Sequence, residues 1–186
     1  MSALQAVTEL MEIAARTAPK AAGKDFVVVK VIEGPDLQRL ADEMIKYGEK
    51  TGRKNFDRDG RNVAASAAVM FVGLKDAQSV DLNCGACGVD LCNDRKPVEH
   101  GEFVGAQCAI RVLDMGIALG SAVKTASLLN VDNRIMYRVG VVAWDSLGRA
   151  AHDERLLTVT APFALTRFDE PPLGAVTCQS VGRDSR

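Results

Sequence analysis

Four of the five cysteines in this 186-residue chain fall within 25 residues: Cys84, Cys87 and Cys92 in "NCGACGVDLC", and Cys108 in "GAQCA". Their spacing is C-x2-C-x4-C-x15-C. Iron–sulfur clusters take four thiolates, commonly three from a tight run and one from a distant segment. A C-x2-C pair turns two sulfurs toward one centre. Gly85 and Gly88 suit that turn, because glycine accepts positive φ and leaves backbone N–H groups open to the sulfurs. Such donors stabilise an electron-rich cluster and raise its potential. Structural zinc is the rival, but its sites usually show two short ligand pairs. The second half here has no C-x2-C, although His100 could replace a cysteine to give a three-cysteine, one-histidine site. The third possibility is thiols that bind no metal, either redox-active or inert in a core. Four cysteines among glycines and an aspartate are unlike a core segment, so the spacing favours one 4Fe–4S cluster. Cys178, far down the chain, reads as a bystander.

The rest of the sequence says where such a centre would reside. With 23 basic and 24 acidic side chains the net charge is −1, and no basic stripe marks a nucleic-acid partner. "MSALQAVTELMEIAART" carries acidic residues within its apolar pattern and is not a signal peptide. The most apolar stretch, 103–130, is broken by Arg111, Asp114 and Lys124 and fails as a membrane span. These features imply a cytoplasmic protein, where clustered cysteines are metal ligands or redox thiols rather than disulfides.

Several elements must position the cysteines. Residues 2–17 place Leu4, Val7, Leu10, Met11 and Ala14 at helical spacing, with Ser2 as N-cap and Pro19 and Gly23 beyond the end. "DFVVVKVIEG" reads as a buried strand. "PDLQRLADEMIKYGEKTG" reads as a helix with Pro35 at its start, one stripe of Leu37, Leu40, Met44 and Ile45, and Gly52 as its stop. "DRDGRNVAASA" is a short helix or turn leading to a second buried strand over 68–75, and the cysteines follow directly.

From Phe103 to Asn130 the pattern predicts a long, mostly buried helix rich in small residues. Mid-helix glycine costs about 1 kcal/mol relative to alanine, so Gly116 and Gly120 imply something pressed against that face. Asp132 or Asn133 reads as a cap for "IMYRVGVVAWDSLG", which is helical with a strand left open. "LLTVTAPFAL" (156–165) is a third strand candidate. The alternation implies an α/β (α+β) fold: one domain over 1–182, residues 79–108 as a cysteine-rich metal-binding insertion after a strand, and a flexible tail over 183–186.

The segment "CGACGVDLCNDRKPVEHGEFVGAQC" resembles the four-cysteine iron–sulfur domain of the RNF-complex B subunit and of the corrinoid iron–sulfur protein. That resemblance puts Cys84, Cys87, Cys92 and Cys108 on the four ligand positions. Two departures are the final spacing of fifteen and Ala109 where those domains carry proline. Over nearly its whole length the chain is similar to a family of prokaryotic "ferredoxin domain-containing" proteins common in anaerobes. "AARTAPKAAGKD", "NCGACGVDLC" and "DMGIALGSAVKTASLLNVDNRIMYRVGV" carry that likeness, which implies an iron–sulfur role without an assigned activity. The chain departs from the family after Trp144.

A fainter likeness is to the nitroreductase fold, through "AARTAPKAAGKDFVVVKV" and "GAQCAIRVLDMGIALGS". It implies nitroreductase-like helices around a small sheet, a homodimer, and FMN between subunits. The family's Arg-Ser-x-Arg phosphate grip is absent, leaving Arg16, Lys20 and Lys24 as substitutes. Solvated charge is the plainer role for these three, and for Asp57, Arg58, Asp59 and Arg61, which read as an exposed helix start. Asp132, Asn133 and Arg134 cap a helix or line a pocket. His100 and His152 sit in no nucleophile pattern, and no phosphate-binding glycine loop is present. The functional expectation is electron transfer or redox sensing by an iron–sulfur protein with an unidentified redox partner. An FMN-dependent oxidoreductase with an iron–sulfur relay and a zinc-stabilised binding or assembly module are the alternatives.

Overall fold

The computed structural model describes residues 3–99, 102, 104–143 and, as a strand, 163–168. Ser2, His100, His152, Cys178, residues 156–162 of the third strand candidate and the 183–186 tail lie outside them. The fold is built around β2 (Ser66–Leu74), nine residues that are apolar but for Ser66 and Gly73. Successive side chains of a strand point to opposite faces, and here both faces are covered. Val69 and Phe71 enter one core, while Met70, Val72 and Leu74 enter another.

The first core is closed by α2 (Pro35–Thr51), α3 (Phe56–Ala64) and α5 (Tyr137–Val142). The second is closed by α1 (Ala3–Thr17) and α4 (Ala109–Leu128). Helices therefore lie on both faces of a four-stranded antiparallel sheet ordered β1 (Val27–Glu33), β2, β6 (Phe163–Phe168), β5 (Arg134–Met136). Helix α2 follows its expected plan, with Pro35 in the first turn, Gly52 left-handed at the C-cap, and Leu37, Leu40, Ala41 and Met44 buried. Gly48 and Gly60 let α3 close on it. A Cβ at Gly60 would meet the Ala41 carbonyl oxygen at 2.9 Å, and one at Gly48 would meet Phe56 Cβ at 2.8 Å.

Five readings of the sequence need correction. Strand β1 is an edge, and Ile32 alone of its residues is fully buried; the valines are half-covered by the second core. Helix α4 starts at Ala109 rather than 103, because Val104 and Gly105 pair as β4 with β3 (Val98–Glu99). Its Gly116/Gly120 face is open: nothing lies within 4 Å of a Cβ at either. Asp132 and Asn133 cap no helix, since β5 precedes α5 and Met136 is the N-cap. Asp59 is buried between Arg58 and Arg138 (2.8 and 3.0 Å) instead of facing solvent. In that run the first turn of α3 supplies a carboxylate that Arg138, 79 residues later, neutralises.

Candidate metal centre

The cysteine segment leaves the fold just after β2 and re-enters it at α4. Its tight part is a loop closed on itself. The Cys92 N–H donates to Asn83 Oδ1 at 2.8 Å, and the Asn83 N–H donates to Cys92 Sγ at 3.4 Å. Within that loop Gly85 and Gly88 have φ of 70° and 87°, and the Gly88 N–H donates to the Gly85 carbonyl at 2.9 Å. L side chains rarely adopt such φ, so glycine is required where the sequence supplies it. Cys84 is exposed, Cys87 and Cys92 are half-buried, and Cys108 is buried. All four thiols are free.

Cys108 is the N-cap residue of the 20-residue α4, where unpaired backbone N–H groups favour negative charge. Burial opposes ionisation of its thiol. The backbone N–H groups of Val80, Arg111 and Ile110 and the Arg95 cation outweigh it, holding the thiol below its ordinary value. The two ends of the cysteine segment lie together at a neck, residues 77–78 on one stem and 106–111 on the other.

Two arginines fasten that neck, and the sequence reading assigned neither a role. Arg95 Nη1 donates to the Ala106 carbonyl at 3.0 Å and Nη2 to the Ala77 carbonyl at 3.5 Å. Arg111, only 1 % exposed, donates from Nε to the Gln78 carbonyl at 3.0 Å. Its Nη1 serves the Ala21 and Lys24 carbonyls and Asp114 Oδ2, the last at 2.9 Å. Asp114 Oδ1 accepts the Ala21 N–H at 2.8 Å, and the guanidinium carbon lies 4.8 Å from the Phe26 ring centroid. A charge-hydropathy pattern cannot reveal this buried pair, since its partners lie 87–93 residues away.

Arg16, Lys20 and Lys24 each have different surroundings within the chain. Arg16 binds Glu12 and the Val29 carbonyl. Lys20 caps the end of α1 through the Ala15 and Arg16 carbonyls and pairs with Asp25 at 3.4 Å, its side chain 6 % exposed. Lys24 is exposed. Among the described residues no three His, Cys, Asp or Glu side chains are gathered into a group that could hold a metal ion. The four cysteines thus do not close round one point.

Comparison with known proteins places the chain. A family model described as "Uncharacterized protein containing a ferredoxin domain (DUF2148)" matches residues 104–153, which include Cys108. An uncharacterized protein of Archaeoglobus fulgidus is 43% identical over 136 residues, covering 72% of this chain and 73% of that one. The chain belongs to this ferredoxin-domain family. Its fold is that of the nitroreductases. Nitroreductase CinD from Lactococcus lactis, in complex with nicotinic acid, aligns over 97% of this chain and 86% of its own, with TM-score 0.57 and 17% identity. A nitroreductase with bound FMN from Desulfitobacterium hafniense DCB-2 aligns over 99% and 89%, with TM-score 0.55 and 12% identity. No described helix is long and apolar enough to cross a membrane.

Proposed function

We propose that this chain is a cytoplasmic iron–sulfur redox protein in which Cys84, Cys87, Cys92 and Cys108 hold one 4Fe–4S cluster. The observation that carries the reading is the tie between the two stems: Arg95 bonds the Ala77 and Ala106 carbonyls and Arg111 bonds the Gln78 carbonyl, which returns the distant fourth cysteine to the root of the loop bearing the other three. The donor set fits the group: four free thiols, a backbone N–H donated to the Cys92 sulfur, and buried arginine N–H groups still without acceptors. When bound, such a cluster supplies one-electron chemistry.

The residues of the chain do the rest. Asn83 sets the Cys92 end of the loop, Gly85 and Gly88 allow its turn, and Cys108 sits at the N-terminus of α4 among backbone N–H donors. Closing the thiols round one centre requires the 84–92 turn to fold inward on loading, since metal binding and local ordering are commonly coupled. Residues 79–108 are then the metal-holding part of one domain.

Anaerobic reconstitution of the full chain should give about four irons and matching labile sulfide per chain, with Cys87→Ser losing most of both. Full iron in Cys87→Ser would sink the assignment. Zinc at about one per chain with no iron would put the zinc-stabilised module first.

The fold supports a second reading, an FMN-dependent oxidoreductase in which the cluster relays electrons, acting as a homodimer through the open Gly116/Gly120 face of α4. Arg16 is already bonded to Glu12 and the Val29 carbonyl, and Lys20 to the last carbonyls of α1, so phosphate would have to displace those bonds or rely on Lys24. An FMN titration that leaves flavin fluorescence unquenched would remove this reading.

A further inference from the structure

Two buried side-chain nitrogen atoms among the described residues have no hydrogen-bond partner, Arg95 Nε and Arg111 Nη2. Both belong to the arginines at the neck of the cysteine segment. A buried N–H with no acceptor is costly and uncommon in a folded protein, so each case calls for an explanation. Two such atoms at one neck point to an acceptor that the polypeptide does not itself provide.

The two arginines differ in charge. Arg111 is neutralised by Asp114. The hydrogen bonds of Arg95 go to two carbonyls, Ala106 and Ala77, and among the described residues no carboxylate pairs with its cation. Arg95 lies between the third and fourth cysteines. It ties the stem two residues before Cys108 to the stem through which the chain leaves β2.

We propose that Arg95 is the positioning and potential-setting residue of the cysteine site: its Nε–H is reserved for a sulfur of the bound centre, and its unpaired cation favours the reduced form. The assignment rests on the reading that the four cysteines hold an iron–sulfur cluster. Reduction by one electron adds one negative charge and neither makes nor breaks a bond, so a fixed cation nearby stabilises the product more than the starting state. The hydrogen bond acts in the same direction, because a sulfur acceptor gains electron density on reduction. The two carbonyl contacts give Arg95 a separate duty before loading, which is to hold both stems together.

The test compares the wild-type full chain with Arg95→Gln and Arg95→Lys. Iron and labile sulfide are counted first, and midpoint potentials are then measured by titration with dithionite. Arg95→Gln should keep its iron and shift to a more negative midpoint. Arg95→Lys, which keeps the charge and loses the Nε–H, should shift part of the way. Full iron with an unchanged midpoint in Arg95→Gln overturns the assignment while leaving the cluster reading standing. A wild-type chain that takes up no iron overturns both. If Arg95→Gln cannot be loaded, amide exchange of the unloaded chain decides: faster exchange at residues 77–80 and 106–108 supports the positioning role, and unchanged exchange there refutes it.

Discussion

Asp114→Ala is the substitution whose cost the structure defines best. Asp114 is 4 % exposed and Arg111 is 1 % exposed, so neither group can turn to water when its partner is lost. The carboxylate accepts two bonds, from Arg111 Nη1 at 2.9 Å and from the Ala21 N–H at 2.8 Å. Alanine leaves a buried guanidinium uncompensated, and removing one partner of such a pair typically costs about 3–5 kcal/mol. Three carbonyls and the Phe26 ring remain around Arg111, which places the loss at the lower end. For a chain of this length about 3 kcal/mol lowers the melting temperature by roughly 6–12 °C.

Urea unfolding of the unloaded protein, followed by circular dichroism under reducing conditions, measures this loss directly, and an unchanged slope shows that the midpoint shift is stability. Asp114→Asn should lose less, because its amide oxygen still accepts. The double variant Arg111→Met/Asp114→Leu should recover most of the loss, as apolar replacements of buried pairs often do. Asp114→Ala within about 0.5 kcal/mol of the parent, the range of an ordinary surface change, would refute the claim that this pair anchors the 21–24 turn to α4.

Gly60→Ala pushes a methyl group against the Ala41 carbonyl and should cost about 1–3 kcal/mol in the same assay. Gly116→Ala and Gly120→Ala meet open space and should raise the stability of the monomer by up to about 1 kcal/mol each. If α4 is a homodimer contact, the same pair should weaken self-association in sedimentation velocity, and an unchanged dimer would refute contact through that face. Burial and then the hydrogen bond to Glu102 push the Tyr137 phenol from 10.0 up to about 12. Unfolded chains release this proton first, so the stabilisation it reflects is present below about pH 10 and lost as pH rises through about 12. Ultraviolet titration should show a late phenolate that Glu102→Gln brings to lower pH; an unmoved transition would reject the Glu102 contact.

Local pattern made much of this protein legible. The apolar run of β2 announced a strand covered on both faces, and Pro35, the Leu37–Met44 stripe and Gly52 delimited α2, because propensity, capping and periodicity act within a few residues. The cysteine spacing and its two glycines were equally local, and the structure places positive φ at both. Pairing across the chain was not legible. Helix α4 loses its expected first turns because residues 104 and 105 pair with 98 and 99, a contact that outweighs helical propensity.

The largest misreading concerned charge. Asp59 looked solvated, and Arg111 and Asp114 read only as interruptions of an apolar stretch, because a charged side chain is costly to bury alone. Their neutralising partners include Arg138 for Asp59, and the turn at residues 21–24 supplies much of what surrounds Arg111 and Asp114. The sequence by itself determined which residues can bind and which can turn. Tertiary structure decided where buried charge is tolerated and that the stem at Ala77 and Gln78 is tied to the one at Ala106 and Arg111, because both depend on groups distant along the chain becoming neighbours in a low-dielectric interior.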